Sequence, residues 1–256
     1  MQNNLSTLER HHQILQLLAR NQRITISEIC EVFSVSEATA RRDLETLSRQ
    51  GHLQRVHGGA ILNQNAPPEL PILQRQSEQT AEKIRIGLAA ASLIEDGETV
   101  FLGSGSTVLE AAHALRTRTL TVITNSLPVI NMLVGQKNIT LISLGGQLRE
   151  SELSFIGHIT EQALQEVRAD KVLMGIRGIS LEHGLTNDYL PETMTDRAIL
   201  RVGREVILLA DHTKFNRVAP AFLAPLESIH TLVTDSAAPA DVVSALQERG
   251  IRVILA

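Results

Sequence analysis

Apolar positions follow two different rhythms along the chain, and the change comes near residue 63. Before it, apolar residues recur at helical spacing in three short segments. Leu8, Ile14, Leu15 and Leu18 form one stripe, Ile29 and Val32 continue a second, and Ala40, Leu44 and Leu47 share one side of a third. After it come apolar runs of strand length: Thr99–Leu102, Leu120–Thr124, Ile139–Leu144, Lys171–Ile176, Val206–Ala210, Leu232–Thr234 and Arg252–Leu255. Segments of helical period separate most of them: Thr107–Leu115, Pro128–Val134, Thr160–Val167, Glu192–Val202 and Pro239–Arg249, with Glu82–Ile94 preceding the first. Strands alternating with helices predict an α/β unit whose largely parallel sheet is covered on both faces.

The first region carries explicit helix starts. Ser6-Thr7-Leu8-Glu9 and Thr25-Ile26-Ser27-Glu28 both read as capping boxes, the second flanked by Ile24 and Ile29 as a hydrophobic staple. Ser36 caps a third helix after the short connection Phe33-Ser34-Val35. On a helical wheel, Ala40, Leu44 and Leu47 face inward. Thr39, Arg42, Thr46 and Arg49 lie opposite with Ala38 beside them, Arg41 at the edge and Asp43 at the side as a structural partner. Arginines that can fork onto guanine or phosphate, with Thr and Ala for thymine methyls, suit a major groove. Gly51 reads as a C-cap, and residues 52–61 alternate apolar and polar around a glycine turn, as in a β-hairpin wing carrying Arg55 and His57. Together these elements predict a winged helix-turn-helix over 1–62, in preference to a three-helix interaction module.

Residues 63–71, Asn-Gln-Asn-Ala-Pro-Pro-Glu-Leu-Pro, continue neither helix nor sheet, and the linker is placed at 63–77 with the second domain over 78–256. The charge balance adds little: the whole chain is −4, and residues 1–62 hold seven Arg, no Lys and six acids. Aromatic residues are only 2% of the chain, which excludes a stacking surface for single-stranded nucleic acid. The one cysteine, Cys30, excludes an internal disulfide and a Cys-rich zinc site, and its helical position reads as a buried filler. No signal peptide and no membrane-length apolar run are visible, so a cytoplasmic protein with no membrane partner is expected.

Chemistry in the second region gathers at strand ends. Gly103-Ser104-Gly105-Ser106-Thr107 follows a strand and opens a helix, where glycines, free N–H groups and hydroxyls favour phosphate over a plain turn. Val108 replaces the third glycine of a dinucleotide fingerprint and no Gly-Lys-Ser/Thr occurs, so neither NAD nor ATP nor another cofactor is expected. Asn125 suits either a ligand hydroxyl or a helix cap, and Arg149 either a phosphate or solvent. Glu192 suits either a ligand hydroxyl or the dipole of the helix it begins, and Arg197 lines that helix. Arg177 sits at a strand end.

The N-terminal pattern resembles the DeoR family of bacterial sugar-metabolism repressors. Arg10, Ile14 and Leu18 stand at the start of the family signature, and Ser36, Thr39, Arg41, Arg42, Asp43 and Leu44 at its end. Asp96-Gly97, Gly103–Thr107, Thr124-Asn125, Gly145-Gly146, Gly184-Leu185-Thr186 and Ala210–Phe215 resemble the family's effector domain. The resemblance implies a fold similar to ribose-phosphate isomerases and CoA transferases, a phosphorylated sugar effector that releases double-stranded operator DNA, and a ligand contact by Lys214 beside Asp211. Gly103 departs from the Asp that the family often carries there. An isomerase or deaminase is the competing expectation, but Asp211, Glu192 and Lys214 are its only catalytic grouping. The acidic loop and the Lys-Gly-Gly-Gly-Gly run of the isomerases are absent. Repressor and activator are not distinguished at this level. One reader helix spans a half-site, so a homo-oligomer, dimer or higher, is expected.

Overall fold

The computed structural model describes residues 10–11, 13–14, 17–18, 23–49, 53–56, 58–62 and 70–256. The chain forms two compact units, Met1–Glu69 and Leu70–Ala256. The expected capping box at residues 6–9, the Gly51 cap and His57 lie outside the described residues, as does the side chain of Arg49.

In the first unit, Arg10, His11, Gln13, Ile14, Leu17 and Leu18 are helical. Strand β1 (Arg23–Thr25) leads into helix α1 (Ile26–Phe33), and α2 (Glu37–Arg49) is followed by β2 (Leu53–Val56) and β3 (Gly59–Leu62). The second capping box is formed: Glu28 N donates to Thr25 Oγ1 at 3.2 Å and Thr25 N to the Glu28 carboxylate at 2.6 Å. Ser36 caps α2 through Thr39 N at 3.2 Å. Ile24, Ile29, Ala40, Leu44 and Leu47 are buried in one core with Ile14 and Leu18. Cys30 is half-buried at the margin of that core rather than a buried filler, because it sits one position off the inward stripe. The wing is a three-stranded antiparallel sheet in the order β1-β3-β2, and β1 had no separate signal in the sequence. Gly59 is required where β3 crosses β1: a Cβ there would lie 2.2 Å from Ile24 O.

The second unit starts earlier than the sequence indicates. Residues 70–77, expected within the linker, hold the short helix α3 (Ile72–Arg75), which is bonded into the unit by Ile72 N to Ser151 O at 2.8 Å. Then follow α4 (Thr80–Ala91), β4 (Thr99–Leu102), α5 (Ser106–Leu115), β5 (Leu120–Thr124), α6 (Leu127–Leu133) and β6 (Ile139–Ser143). A hairpin of β7 (Gln147–Arg149) and β8 (Ser154–Ile156) precedes α7 (His158–Gln165) and β9 (Ala169–Gly175). Strands β10 (Gly178–Ser180) and β11 (Gly184–Asn187) lead to α8 (Leu190–Leu200) and β12 (Gly203–Leu209). The chain ends with β13 (Ala221–Ala224), β14 (Thr231–Thr234), α9 (Ala240–Glu248) and β15 (Arg252–Leu255).

Seven of these strands form one wholly parallel sheet in the order β15-β14-β12-β9-β4-β5-β6, and β10, β11 and β13 form a small antiparallel sheet. Apolar residues face both ways: Val100, Leu102 and Leu173 enter one core, and Phe101, Val172 and Met174 the other. Such two-sided burial explains why the strands read as continuous apolar runs. From β4 the chain moves outward to β5 and β6, then returns to place β9 on the opposite flank of β4. Order reverses between β4 and β9, which opens a crevice at their C-terminal ends.

Candidate functional site

That crevice is a pocket enclosing about 620 Å³ of empty space, part of it open to solvent. One wall is the loop Gly103–Thr107 at the end of β4. The end of β9 supplies Met174–Arg177, the end of β12 supplies Leu209, Asp211 and Lys214, and α8 contributes Glu192 and Asp196. Gly105 precedes α5 with φ +127°, a conformation that L side chains rarely adopt. The first intrahelical bond after it is Leu109 N to Gly105 O, so the N–H groups of the first turn have no intrahelical partner. Buried Ser106 and Thr107 hydroxyls sit beside them. Open N–H groups and hydroxyls of this kind can receive an anion.

Four cations line the same space: Arg75, Lys83, Arg177 and Lys214. Burial drives the Lys83 ammonium down to about 8, with Lys214 and Arg75 adding repulsion and Asp211 opposing. Burial drives Lys214 down to about 7, again against Asp211. Desolvation pulls Arg177 down while Asp188 and Glu192 oppose it. Burial tends to raise Asp211, but Lys214 and the hydrogen bonds from Thr213 outweigh it and hold the carboxyl below its ordinary range.

The acids opposite are fixed by partners. Glu192 accepts from Ser154 Oγ at 2.8 Å and from Arg149. Asn187 Nδ2 donates to Asp196 at 2.8 Å, and burial together with Glu192 raises Asp196 well above the usual carboxylate range. Glu152, 2% exposed, is held by Arg75 and by Arg177 at 2.5 Å, and burial lifts it to about 7. One end of the pocket is therefore cationic and rich in N–H donors, and the other offers carboxylate and amide groups that suit hydroxyls.

Of the residues singled out by sequence, Gly103–Thr107, Glu192 and Lys214 converge here, with Arg177 and Asp211. Asn125 and Arg149 do not line it. Asn125 is buried and donates to Phe155 O at 2.9 Å, fastening the β7–β8 hairpin. Arg149 sits in that hairpin, pairs with Glu192 and Asp188, and lies 4.6 Å over the Tyr189 ring, so it positions Glu192. Arg197 binds the carbonyls of Leu223 and Phe222. Sequence reasoning missed Arg75, Lys83, Glu152, Asn187 and Asp196 in the lining.

In the first unit, α2 presents a polar face. Ser36, Ala38, Arg41 and Arg42 are exposed and Thr39 and Thr46 half-buried, while Arg55 is exposed on the wing. The two threonine hydroxyls are occupied, Thr39 by Ser36 at 2.9 Å and Thr46 by Arg42 O at 2.9 Å, which leaves their methyls as the outward feature. Arg41 pairs loosely with Glu37 at 3.4 Å. Arg42 has no ion-pair partner among the described residues.

The DeoR C-terminal sensor domain matches residues 78–236, and the DeoR-like helix-turn-helix domain matches 10–66. The chain belongs to the DeoR family. A DeoR-family chain with this helix-turn-helix is a DNA-binding transcriptional regulator rather than an enzyme. It is 34% identical over 248 residues to the glycerol-3-phosphate regulon repressor of Escherichia coli (strain K12), covering 96% of this chain and 98% of that one. It is 37% identical over 232 residues to the lactose phosphotransferase system repressor of Lactococcus lactis subsp. lactis, covering 89% and 90%. The HTH-type transcriptional repressor GlcR of Bacillus subtilis (strain 168) is 35% identical over 247 residues, covering 96% and 95%. Among solved structures, ribose 5-phosphate isomerase A of Methanocaldococcus jannaschii aligns with TM-score 0.38 and 20% identity over 52% of this chain and 53% of that one. The full-length sorbitol operon regulator SorC of Klebsiella pneumoniae aligns with TM-score 0.38 and 12% identity over 98% and 96%. Among the described residues, no helix is long and apolar enough to cross a membrane.

Proposed function

We propose that this regulator represses a carbohydrate catabolic operon and leaves its operator when a phosphorylated sugar fills the crevice between β4 and β9. The carrying observation is one pocket that joins an open helix N-terminus, with Lys83 and Lys214 beside it, to the fixed carboxyl groups of Glu192 and Asp196. A phosphoryl group matches the first end and sugar hydroxyls the second. Names of the relatives, repressors of glycerol-3-phosphate and lactose phosphotransferase genes among them, support both the sign and the substrate class. Ser36, Ala38, Thr39, Arg41, Arg42, Thr46, Arg49, Arg55 and His57 form the operator-reading set, with α2 in the major groove and the wing on the backbone. The protein acts in the cytoplasm as a homo-oligomer, dimer or higher, because one reader covers only a half-site.

The test is a thermal-shift screen of the full chain with phosphorylated sugars and their unphosphorylated parents. A ligand that binds only the folded state raises its melting temperature. A phosphorylated sugar that does so, with its parent inert, supports the reading. Equal shifts from both members of every pair contradict it.

A further inference from the structure

The backbone that leaves the linker is clasped by the pocket's own cations. Residues 70–83 follow directly on 63–69, which join them in sequence to the wing. Arg75 Nε donates to Leu70 O at 2.8 Å, and the same guanidinium pairs with Glu152. Lys83 Nζ donates to Arg75 O at 2.5 Å and to Glu78 O at 2.6 Å. Arg75 and Lys83 are 6% and 5% exposed, and both line the pocket. Lys214 also lines it, but from the end of β12. The two groups that close the linker-side segment on itself therefore also face the ligand space.

An ammonium carries three donors, and Lys83 spends two of them on carbonyls. The third can meet a ligand oxygen without breaking either bond. Lys83, Lys214 and Arg75 repel one another across the pocket. An anion placed among them removes that repulsion and adds attraction in a poorly solvated space. Its effect is to strengthen the clasp.

We infer that Lys83 and Arg75 are positioning residues that couple the pocket to the root of the linker: an anion bound at the Gly103–Thr107 loop tightens residues 70–83. The inference rests on the reading of the crevice as a phosphoryl site, and it supplies a route by which occupancy reaches the DNA-binding half. Differential order of one segment, with and without ligand, is what such coupling requires.

Hydrogen exchange of the full-length protein with and without inorganic phosphate tests it, read separately at residues 103–109 and at 70–83. Both segments are expected to exchange several-fold more slowly with phosphate. In K83M, saturating phosphate is expected to protect 103–109 but no longer 70–83, and K83R, which keeps charge and donors, is expected to restore the second response. A purely structural lysine would loosen 70–83 equally in both conditions and leave the phosphate-dependent difference intact, which overturns the coupling. Protection of 103–109 without any change at 70–83 in the unmodified protein overturns the coupling and leaves the site standing. Protection at neither segment overturns the phosphoryl site and the inference with it. If K83M does not fold, the unmodified protein and K83R decide between these outcomes.

Discussion

Arg10 donates from Nε and a terminal nitrogen to the two carboxylate oxygens of Asp43, at 2.7 and 3.2 Å, and so ties the first helical segment to α2. His11 reaches the same carboxylate at 3.0 Å. The burial of Asp43 would raise its pKa, but the bonds from Arg10 and His11 outweigh that and hold it below the usual range. Two residues at opposite ends of the family signature are thus one structural unit, and Asp43 is a brace rather than a base reader. Replacing Asp43 by Ala removes both bonds from the Arg10 guanidinium and is expected to destabilise the first unit by about 2 kcal/mol. A double-mutant cycle of Arg10→Ala and Asp43→Ala in urea unfolding checks this: the two losses should overlap, and strictly additive losses would refute the brace.

Arg42 makes the opposite prediction. It is exposed and anchors nothing in the core, so Arg42→Ala should leave the circular-dichroism spectrum and melting temperature unchanged while operator affinity collapses. If Arg42 forks onto a base, discrimination at one operator position relaxes, at a cost of about 1–3 kcal/mol. Undiminished affinity in this variant would remove Arg42 from the reading face.

Two glycines of the Gly103–Thr107 loop separate conformation from space. A Cβ at Gly103 would meet only ordinary contacts, 3.4 Å to Leu173 O and 3.6 Å to Met174 Cβ, whereas Gly105 holds φ +127°. Gly103→Ala should fold and still respond to ligand. Gly105→Ala should carry about 1–3 kcal/mol of strain and bind the effector more weakly. Thermal-shift titration of both variants decides, and equal behaviour would place the strain elsewhere.

Lysines at about 8 and about 7 make anion binding a proton-linked event. A bound phosphoryl group favours the charged ammonium, so binding should take up protons between about pH 7 and 9, and affinity should fall as pH rises through that window. The same depressed values work against the free fold at low pH. The unfolded state holds more protons between these values and an ordinary lysine pKa, so this contribution to stability improves as pH rises through that range. Calorimetry in buffers of different ionisation enthalpy measures the uptake. A heat independent of buffer at about pH 8 would contradict it.

The sheet was legible because its strands are buried on both sides and therefore spell uninterrupted apolar runs. Leu102, Leu173 and Leu209 are examples, all buried in one core. Strands β7, β8, β10 and β11 left no such signature, since each carries only one or two large apolar residues among polar or glycine neighbours. The Gly103–Thr107 loop was legible because glycine and hydroxyl residues at a strand-to-helix junction have a direct physical reading. Arg75 and Lys83 were not. A proline-rich approach made Arg75 look like linker, and its burial depends on Glu152, 77 positions away. Buried ion pairs couple distant residues, and no local pattern announces them.

A phosphorylated sugar is expected to release the operator. Fluorescence anisotropy of a labelled operator duplex with the full-length protein, titrated with the phosphorylated sugar that gives the largest thermal shift, measures this directly. The predicted result is a saturable loss of DNA binding that tracks occupancy of the pocket, with the unphosphorylated parent inert. DNA binding that stays constant while that ligand saturates the protein would contradict it.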